Sequence, residues 1–264
     1  MGCTGIVYCT QRWLTRAENP YIYLVYEALE VYAMSEAMIV SQKVHKYYEG
    51  GVRVHALRGV DLSIDRGEMV AIMGPSGCGK TTLLNCLSGL ENISSGRVLI
   101  GGKDLNALSD NRRTELRALN MGFVFQFYNL LPVLTSLENV ELPLLLAGKA
   151  KGAKAKAKKA LETVGLGDRC HHRPPELSGG ERQRVTIARA VVNEPDIIWA
   201  DEPTGDLDTD NSERIMDLLC KLKEKNGHTI VLVTHDQMVA RRAERMIYME
   251  NGLIQREQRR GDTR

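Results

Sequence analysis

The stretch Gly74-Pro75-Ser76-Gly77-Cys78-Gly79-Lys80-Thr81 fits the pattern G-x-x-x-x-G-K-[ST] in full. No other feature of the chain constrains its fold as tightly, because the pattern requires a buried strand before the loop and a helix after it. Both are present. Met69-Val70-Ala71-Ile72-Met73 is a continuous apolar run, as a central parallel strand needs, and a helical pattern runs from Thr81 to about Leu90. The residue types have a physical purpose. Glycines let backbone N–H groups come close to phosphate oxygens, and the helix N-terminus adds positive dipole at the same place. Lys80 is placed to reach β- and γ-phosphates, and the hydroxyl of Thr81 suits Mg²⁺, a hard cation that prefers oxygen. Cys78 contributes backbone to the loop and is not read as a nucleophile.

The surrounding pattern is α/β. Val60, Leu62 and Ile64 alternate like a half-buried strand, and short strands are expected at Val98–Ile100 and Gly122–Phe125. Thr135-Ser136-Leu137-Glu138 is a capping-box pattern, and the chain reads as helical from Thr135 to Val164. Ala153, Ala157, Ala160, Leu161 and Val164 form one apolar stripe. Strands return at Asp196–Ala200 and Thr229–Val233, with a helix marked by Ile215, Leu218, Leu219 and Leu222 between them. Asn251-Gly252 marks a hairpin. The sum is an α/β core interrupted by a helical insertion.

Two further strands end in reactive side chains. Ile197-Ile198-Trp199-Ala200 runs into Asp201-Glu202, and a parallel strand delivers its last residues to the carboxyl edge of the sheet, where ligands bind. Asp201 is expected to hold Mg²⁺ and Glu202 to orient and polarise an attacking water. Thr229–Val233 runs into Thr234-His235-Asp236, which brings His235 to the same edge near the γ-phosphate.

Leu177-Ser178-Gly179-Gly180-Glu181, followed by Arg182-Gln183-Arg184, resembles the signature of the ATP-binding-cassette ATPases. Gln126, the run Thr204-Gly205-Asp206-Leu207-Asp208 and His235 look like that family's Q-loop, D-loop and H-loop, in the right order. The resemblance covers about residues 39–255. Gly122–Gln126, Asn129–Pro132 and Leu137–Pro143 are similar to the lipoprotein-release, macrolide-export and cell-division subgroup.

The resemblance implies a P-loop NTPase (RecA-like) core with an antiparallel β part and an inserted α-helical subdomain. It implies an ATPase domain over residues 38–256, with the helical insertion at about 127–176. Tyr47 would stack on adenine, with Tyr48 as the alternative. Gly74, Pro75, Ser76, Gly77, Cys78, Gly79, Lys80, Thr81 and Thr82 would surround the phosphates. Thr81, Gln126 and Asp201 would attend Mg²⁺. Glu202 would be the general base and His235 the switch, with Gln126 and Lys80 completing the catalytic set. Ser178, Gly179 and Gly180 would bind the γ-phosphate of ATP held by a second copy, and Asp208 would tie the two sites together. The physical logic agrees: a second Gly-rich loop ahead of a helix is another anion-binding end, and a dimer can apply both ends to one phosphate while excluding water. The implied partners are a second copy, a separate membrane permease with a large outer domain, and an extracytoplasmic adaptor reached through that permease. The implied location is the cytoplasmic face of the membrane. A force-transmitting ATPase of cell-division or cell-wall control is the alternative function.

Departures from the family pattern are Glu181, where Gln is frequent, Trp199, where a smaller aliphatic is usual, and Asp206, where a neutral residue is common. Phe127-Tyr128 after Gln126 is unusual for the subgroup.

Other classes fall away. With 35 Lys+Arg against 33 Asp+Glu, the chain lacks the charge of a protein that binds nucleic acid through its phosphates. No stretch reaches the roughly 18 apolar residues of a membrane span, and no signal-peptide pattern is expected. Six scattered cysteines fit a reducing compartment. Cys170-His171-His172 lacks a second ligand pair and is not read as a metal site. The lysines at 149, 151, 154, 156, 158 and 159 read as the solvated face of a helix, with attraction to an anionic membrane surface as the alternative.

Residues 1–37 hold Trp13 and five of nine tyrosines without strand–helix alternation. They read as an atypical extension or a start codon placed too early, with Met34 and Met38 as alternative starts. Met1-Gly2-Cys3 lacks the Ser/Thr at position 6 that myristoylation prefers. Deletion of residues 1–33 is expected to leave ATPase activity intact. Residues 257–264 read as a polar tail.

Overall fold

Two sheets share the strands of the domain. A computed structural model describes residues 37–51 and 53–262. The expectations for residues 1–36, including an alternative start at Met34 and the lipidation motif, lie outside the described residues.

The antiparallel sheet has the order β2-β1-β4-β5, formed by β1 (Ala37–Tyr48), β2 (Val54–Asp65), β4 (Ser95–Ile100) and β5 (Lys103–Asp104). The second sheet has the order β10-β9-β3-β8-β7-β6. Its strands are β3 (Met69–Met73), β6 (Met121–Phe125), β7 (Ile197–Asp201), β8 (Thr229–Val233), β9 (Arg245–Glu250) and β10 (Leu253–Arg259). All its pairings are parallel except β9 with β10. The helices are α1 (Lys80–Leu87), α2 (Asp110–Asn120), α3 (Ser136–Leu146), α4 (Ala153–Thr163), α5 (Gly179–Val191), α6 (Thr209–Asn226) and the short α7 (Gln237–Ala240).

The continuous apolar runs of β3, β7 and β8 follow from burial on both faces. Met69, Ala71 and Met73 join Ile198, Ala200, Ile230 and Leu232 in a core with the helical side, including Val140, Leu161, Ile187 and Leu219. Val70 and Ile72 face the other way, with Trp199, Val231 and Val233, onto α1 and the antiparallel sheet. Trp199 is fully buried there, and its indole N–H has no partner among the described residues. The large side chain fills the layer between the sheets at the cost of one unmet donor.

Two expectations need correction. The helical stretch from Thr135 to Val164 is two helices, α3 and α4, because the chain turns through Gly148 and Gly152, both at positive φ. The capping box on Thr135 and the buried stripe Ala153, Ala157 and Leu161 are as expected. The supposed tail begins inside a strand: β10 runs to Arg259, and Glu257 pairs with Ile247. Its polar composition reflects an edge strand whose side chains mostly meet water. No described helix is long and apolar enough to cross a membrane.

Candidate functional site

Strand register assembles the site. Ile72 lies opposite Val233, Val233 opposite Asp201, and Asp201 opposite Phe125. The residues that follow these positions therefore leave one carboxyl edge together: the phosphate loop after β3, Glu202 after β7, Thr234-His235 after β8 and Gln126 after β6. Cross-links hold that edge. Thr234 N–H donates to Ile72 O at 3.1 Å, and Glu202 N–H donates to Val233 O at 2.9 Å. Glu202 itself has φ of +47°, an uncommon conformation for a non-glycine residue and one found at functional sites.

The phosphate loop is preformed. Gly79 has φ of +105°, and a Cβ there would lie 2.7 Å from the carbonyl oxygen of Ala56. Lys80 opens α1, is largely buried and donates from Nζ to Gly74 O at 2.8 Å and Pro75 O at 3.0 Å. Its ammonium is thus held at the mouth of the loop. Cys78 is buried, and its carbonyl accepts from Gly252 N–H, so it serves the loop through its backbone.

Thr81 Oγ1 donates to Asp201 Oδ1 at 3.1 Å, which joins the loop to the acid pair. Burial is the main influence on the Asp201 carboxyl and raises its pKa, with the Glu202 charge acting in the same direction. A half-buried carboxylate beside a hydroxyl is a hard, all-oxygen donor set that suits a divalent cation. Beside it, His235 Nδ1 and Glu202 Oε1 are 2.8 Å apart. Gln126 Nε2 donates to Asp206 Oδ1 at 3.3 Å.

The two tyrosines at the end of β1 have different surroundings. Tyr47 stacks on His55 with ring centroids 4.1 Å apart, and the Arg53 guanidinium lies 4.1 Å from its centroid. Tyr48 instead reaches the phosphate-loop helix: its hydroxyl donates to Glu91 Oε2 at 2.6 Å and lies 3.4 Å from Thr82 Oγ1. Tyr47, preferred for adenine on sequence grounds, is thus engaged with β2, and Tyr48 is the aromatic in contact with the helix that follows the phosphate loop.

Ser178 caps α5 in a capping box. Its Oγ accepts from Glu181 N–H at 3.2 Å, and Glu181 Oε2 accepts from Ser178 N–H at 2.8 Å. That second bond lowers the Glu181 pKa, as does Arg169, whose Nε lies 3.3 Å from Oε1. The carboxylate in place of the frequent Gln therefore suits the helix start. Among the described residues no hydrogen bond joins Ser178–Gly180 to the phosphate loop. Asp208 caps α6, accepting from the backbone and side chain of Asn211 at 2.8 and 2.7 Å.

Several supporting contacts carry no sequence signal. Asn211 stands against Gly180, where a Cβ would lie 2.7 Å from Asn211 Oδ1. Buried Gln183 donates to Pro203 O at 2.6 Å and so ties α5 to the segment after the acid pair. Tyr128 and Asn129, both at positive φ, give their carbonyls to Arg189, and the Arg182 guanidinium lies 5.0 Å from the Tyr128 centroid. Chain separations of tens of residues hide all these contacts from local patterns. Near the set-aside trio, the Cys170 thiol is buried and donates to Gly167 O at 3.1 Å.

Comparison with known proteins places this geometry. The ABC transporter family profile matches residues 57–205. The lipoprotein-releasing system ATP-binding protein LolD of Legionella pneumophila (strain Paris) is 48% identical over 223 residues, covering 84% of this chain and 98% of that protein. An uncharacterized ABC transporter ATP-binding protein of Thermotoga maritima is 51% identical over 220 residues, covering 83% and 94%. Among solved structures, a dimeric ATP-binding cassette in a post-hydrolysis state, bound to ADP and Pi, superposes with a TM-score of 0.80 at 44% identity, covering 86% of this chain and all of that one.

Proposed function

The chain belongs to the ABC transporter family as its ATP-hydrolysing cassette subunit, and we propose that two copies close around two Mg·ATP to drive a lipoprotein-releasing permease. The observation that carries this reading is the single sheet edge bearing Lys80, Thr81, Asp201, Glu202 and His235, with the capped Ser178–Gly180 helix start bonded elsewhere. One copy supplies the nucleotide site, and the second supplies the other anion-binding end.

In this reading Lys80 and the loop amides bind the phosphates, and Tyr48 faces the adenine. Thr81, Asp201 and Gln126 would hold Mg²⁺, which would offset phosphate charge. Glu202 accepts a proton from the attacking water. A carboxylate only accepts hydrogen bonds, so in this reading the proton between the pair belongs to His235 Nδ1. His235 thereby holds Glu202 in place beside the γ-phosphate. Ser178 and Gly180 of one copy close over the other copy's ATP, and Asp208 joins the two sites.

The lipoprotein assignment is drawn from relatives named for lipoprotein release that match nearly their whole length. The subunit would sit peripherally at the cytoplasmic face, held by its permease, which in turn contacts an outer adaptor. The test is affinity capture of tagged Glu202→Gln protein from its native cells in mild detergent with ATP and Mg²⁺. Co-purification of a permease with a large extracytoplasmic domain is the expected result. Recovery of soluble partners alone overturns the transport role.

A further inference from the structure

The Asp206 carboxylate accepts from Gln126 Nε2 at 3.3 Å across 80 positions of chain. An amide side chain is nearly symmetric in shape but opposite in chemistry at its two ends, so position alone does not decide which end faces a ligand. A carboxylate decides it, because it accepts and cannot donate. With Nε2 turned to Asp206, Oε1 is the end left over, and among the described residues it accepts no hydrogen bond.

The neighbouring residue makes this contact close. A Cβ on Gly205 would lie 3.0 Å from Gln126 Nε2 and 3.2 Å from Cδ, so the amide lies flat against bare backbone. Gly205 thus sets where the Gln126 side chain rests, and Asp206 sets which way round it rests. The register of β6 on β7 puts Phe125 opposite Asp201, so Gln126 leaves the sheet at the same edge as the Asp201 carboxylate.

We propose that Asp206 is a positioning residue that turns the carbonyl oxygen of Gln126, rather than its NH₂, towards the divalent cation. The proposal rests on the reading of Gln126 as a cation ligand. A neutral Asn at 206 would meet either end of the amide, and Ala would meet neither.

The test is equilibrium binding of ATP in the non-hydrolysing Glu202→Gln background, with Mg²⁺ and with EDTA. The readout is the gain in affinity that Mg²⁺ confers. Asp206→Ala should cut that gain by about 10-fold, the lower end of the usual effect of residues that orient metal ligands. Its affinity in EDTA should stay unchanged, which a general loosening of the fold would not allow. Asp206→Ala should add nothing in a Gln126→Ala background. A reduced gain for Gln126→Ala but not for Asp206→Ala overturns the proposal and leaves the cation reading standing. A further loss in the double variant shows that Asp206 acts by its charge alone, and overturns the proposal too. An undiminished gain in Gln126→Ala removes the cation reading, and the proposal with it.

Discussion

His235 Nδ1 lies 2.8 Å from Glu202 Oε1, though 33 positions separate the two residues in the chain. The Glu202 side chain is 16% exposed and that of His235 71% exposed, so the carboxylate is shielded while the imidazole remains open to a ligand. In the proposed mechanism the pair divides the work between a sheltered base and an exposed group that holds it.

Glu202→Gln should therefore retain ATP binding and slow hydrolysis by about 10²–10⁴-fold, the usual worth of a positioned base. Since the two residues act as a unit, adding His235→Ala to Glu202→Gln should cost little more. Single-turnover hydrolysis with bound ATP measures both. Near-normal turnover by Glu202→Gln would refute its role.

Gly180→Ala should separate binding from hydrolysis. Its Cβ would press on Asn211, which is bonded to Asp208, and so disturb the start of α5 and the cap of α6 together. ATP affinity of the monomer should stay within about threefold of the parent, a shift under about 1 kcal/mol. ATP-driven dimerisation, read by light scattering in the Glu202→Gln background, should be lost. A dimer that forms as readily as the parent's contradicts the placement of the second anion-binding end.

Tyr48→Ala should weaken ATP binding by about 5–150-fold, since stacking on a base is worth about 1–3 kcal/mol. Tyr47→Ala should have a much smaller effect, because that ring is committed to His55 and Arg53. Titration with a fluorescent ATP analogue distinguishes them, and the reverse order would restore Tyr47 as the adenine partner.

Asp201→Asn should stabilise the nucleotide-free protein. Burial raises the pKa of Asp201 in the folded state. The folded form therefore favours the protonated carboxyl, and the cost of the charge builds as pH rises from the ordinary carboxylate range to that raised pKa and is complete above it. Asparagine removes the cost at neutral pH while its amide oxygen can still accept from Thr81. Each ~1 kcal/mol relieved should raise Tm by about 2–4 °C in a domain of this size. Calorimetry should show the gain at pH 7.5 and a smaller one near pH 4, while Mg²⁺-dependent ATP affinity falls. A lower Tm at pH 7.5 would count against burial as the dominant influence.

The helices and strands that carry the phosphate loop, the acid pair and His235 were legible because each is a short apolar run ending in a distinctive residue. That pattern is local. The break at Gly148–Gly152 is not legible in the sequence, because apolar periodicity does not reveal a change of direction. The last strand was misread because a polar edge strand lacks the alternation that identifies buried ones. The different surroundings of Tyr47 and Tyr48 come from the pairing of β1 with β2 and the approach of α1, which adjacent tyrosines in a sequence do not reveal.

By itself the sequence determined the chemistry available: a loop that binds phosphates, a strand that ends in two carboxylates, a histidine on a neighbouring strand and a second glycine-rich helix start. Residue type and close spacing specify such features, because backbone conformation and local hydrogen bonding act over a few residues. Tertiary structure decided which of these groups meet. Parallel register aligned Phe125, Asp201, Val233 and Ile72 on one edge, and packing brought Asp206 to Gln126, Asn211 to Gly180 and Tyr48 to Thr82. These contacts span tens of residues of chain and exist only once burial of the two apolar faces of the sheet has drawn the elements together.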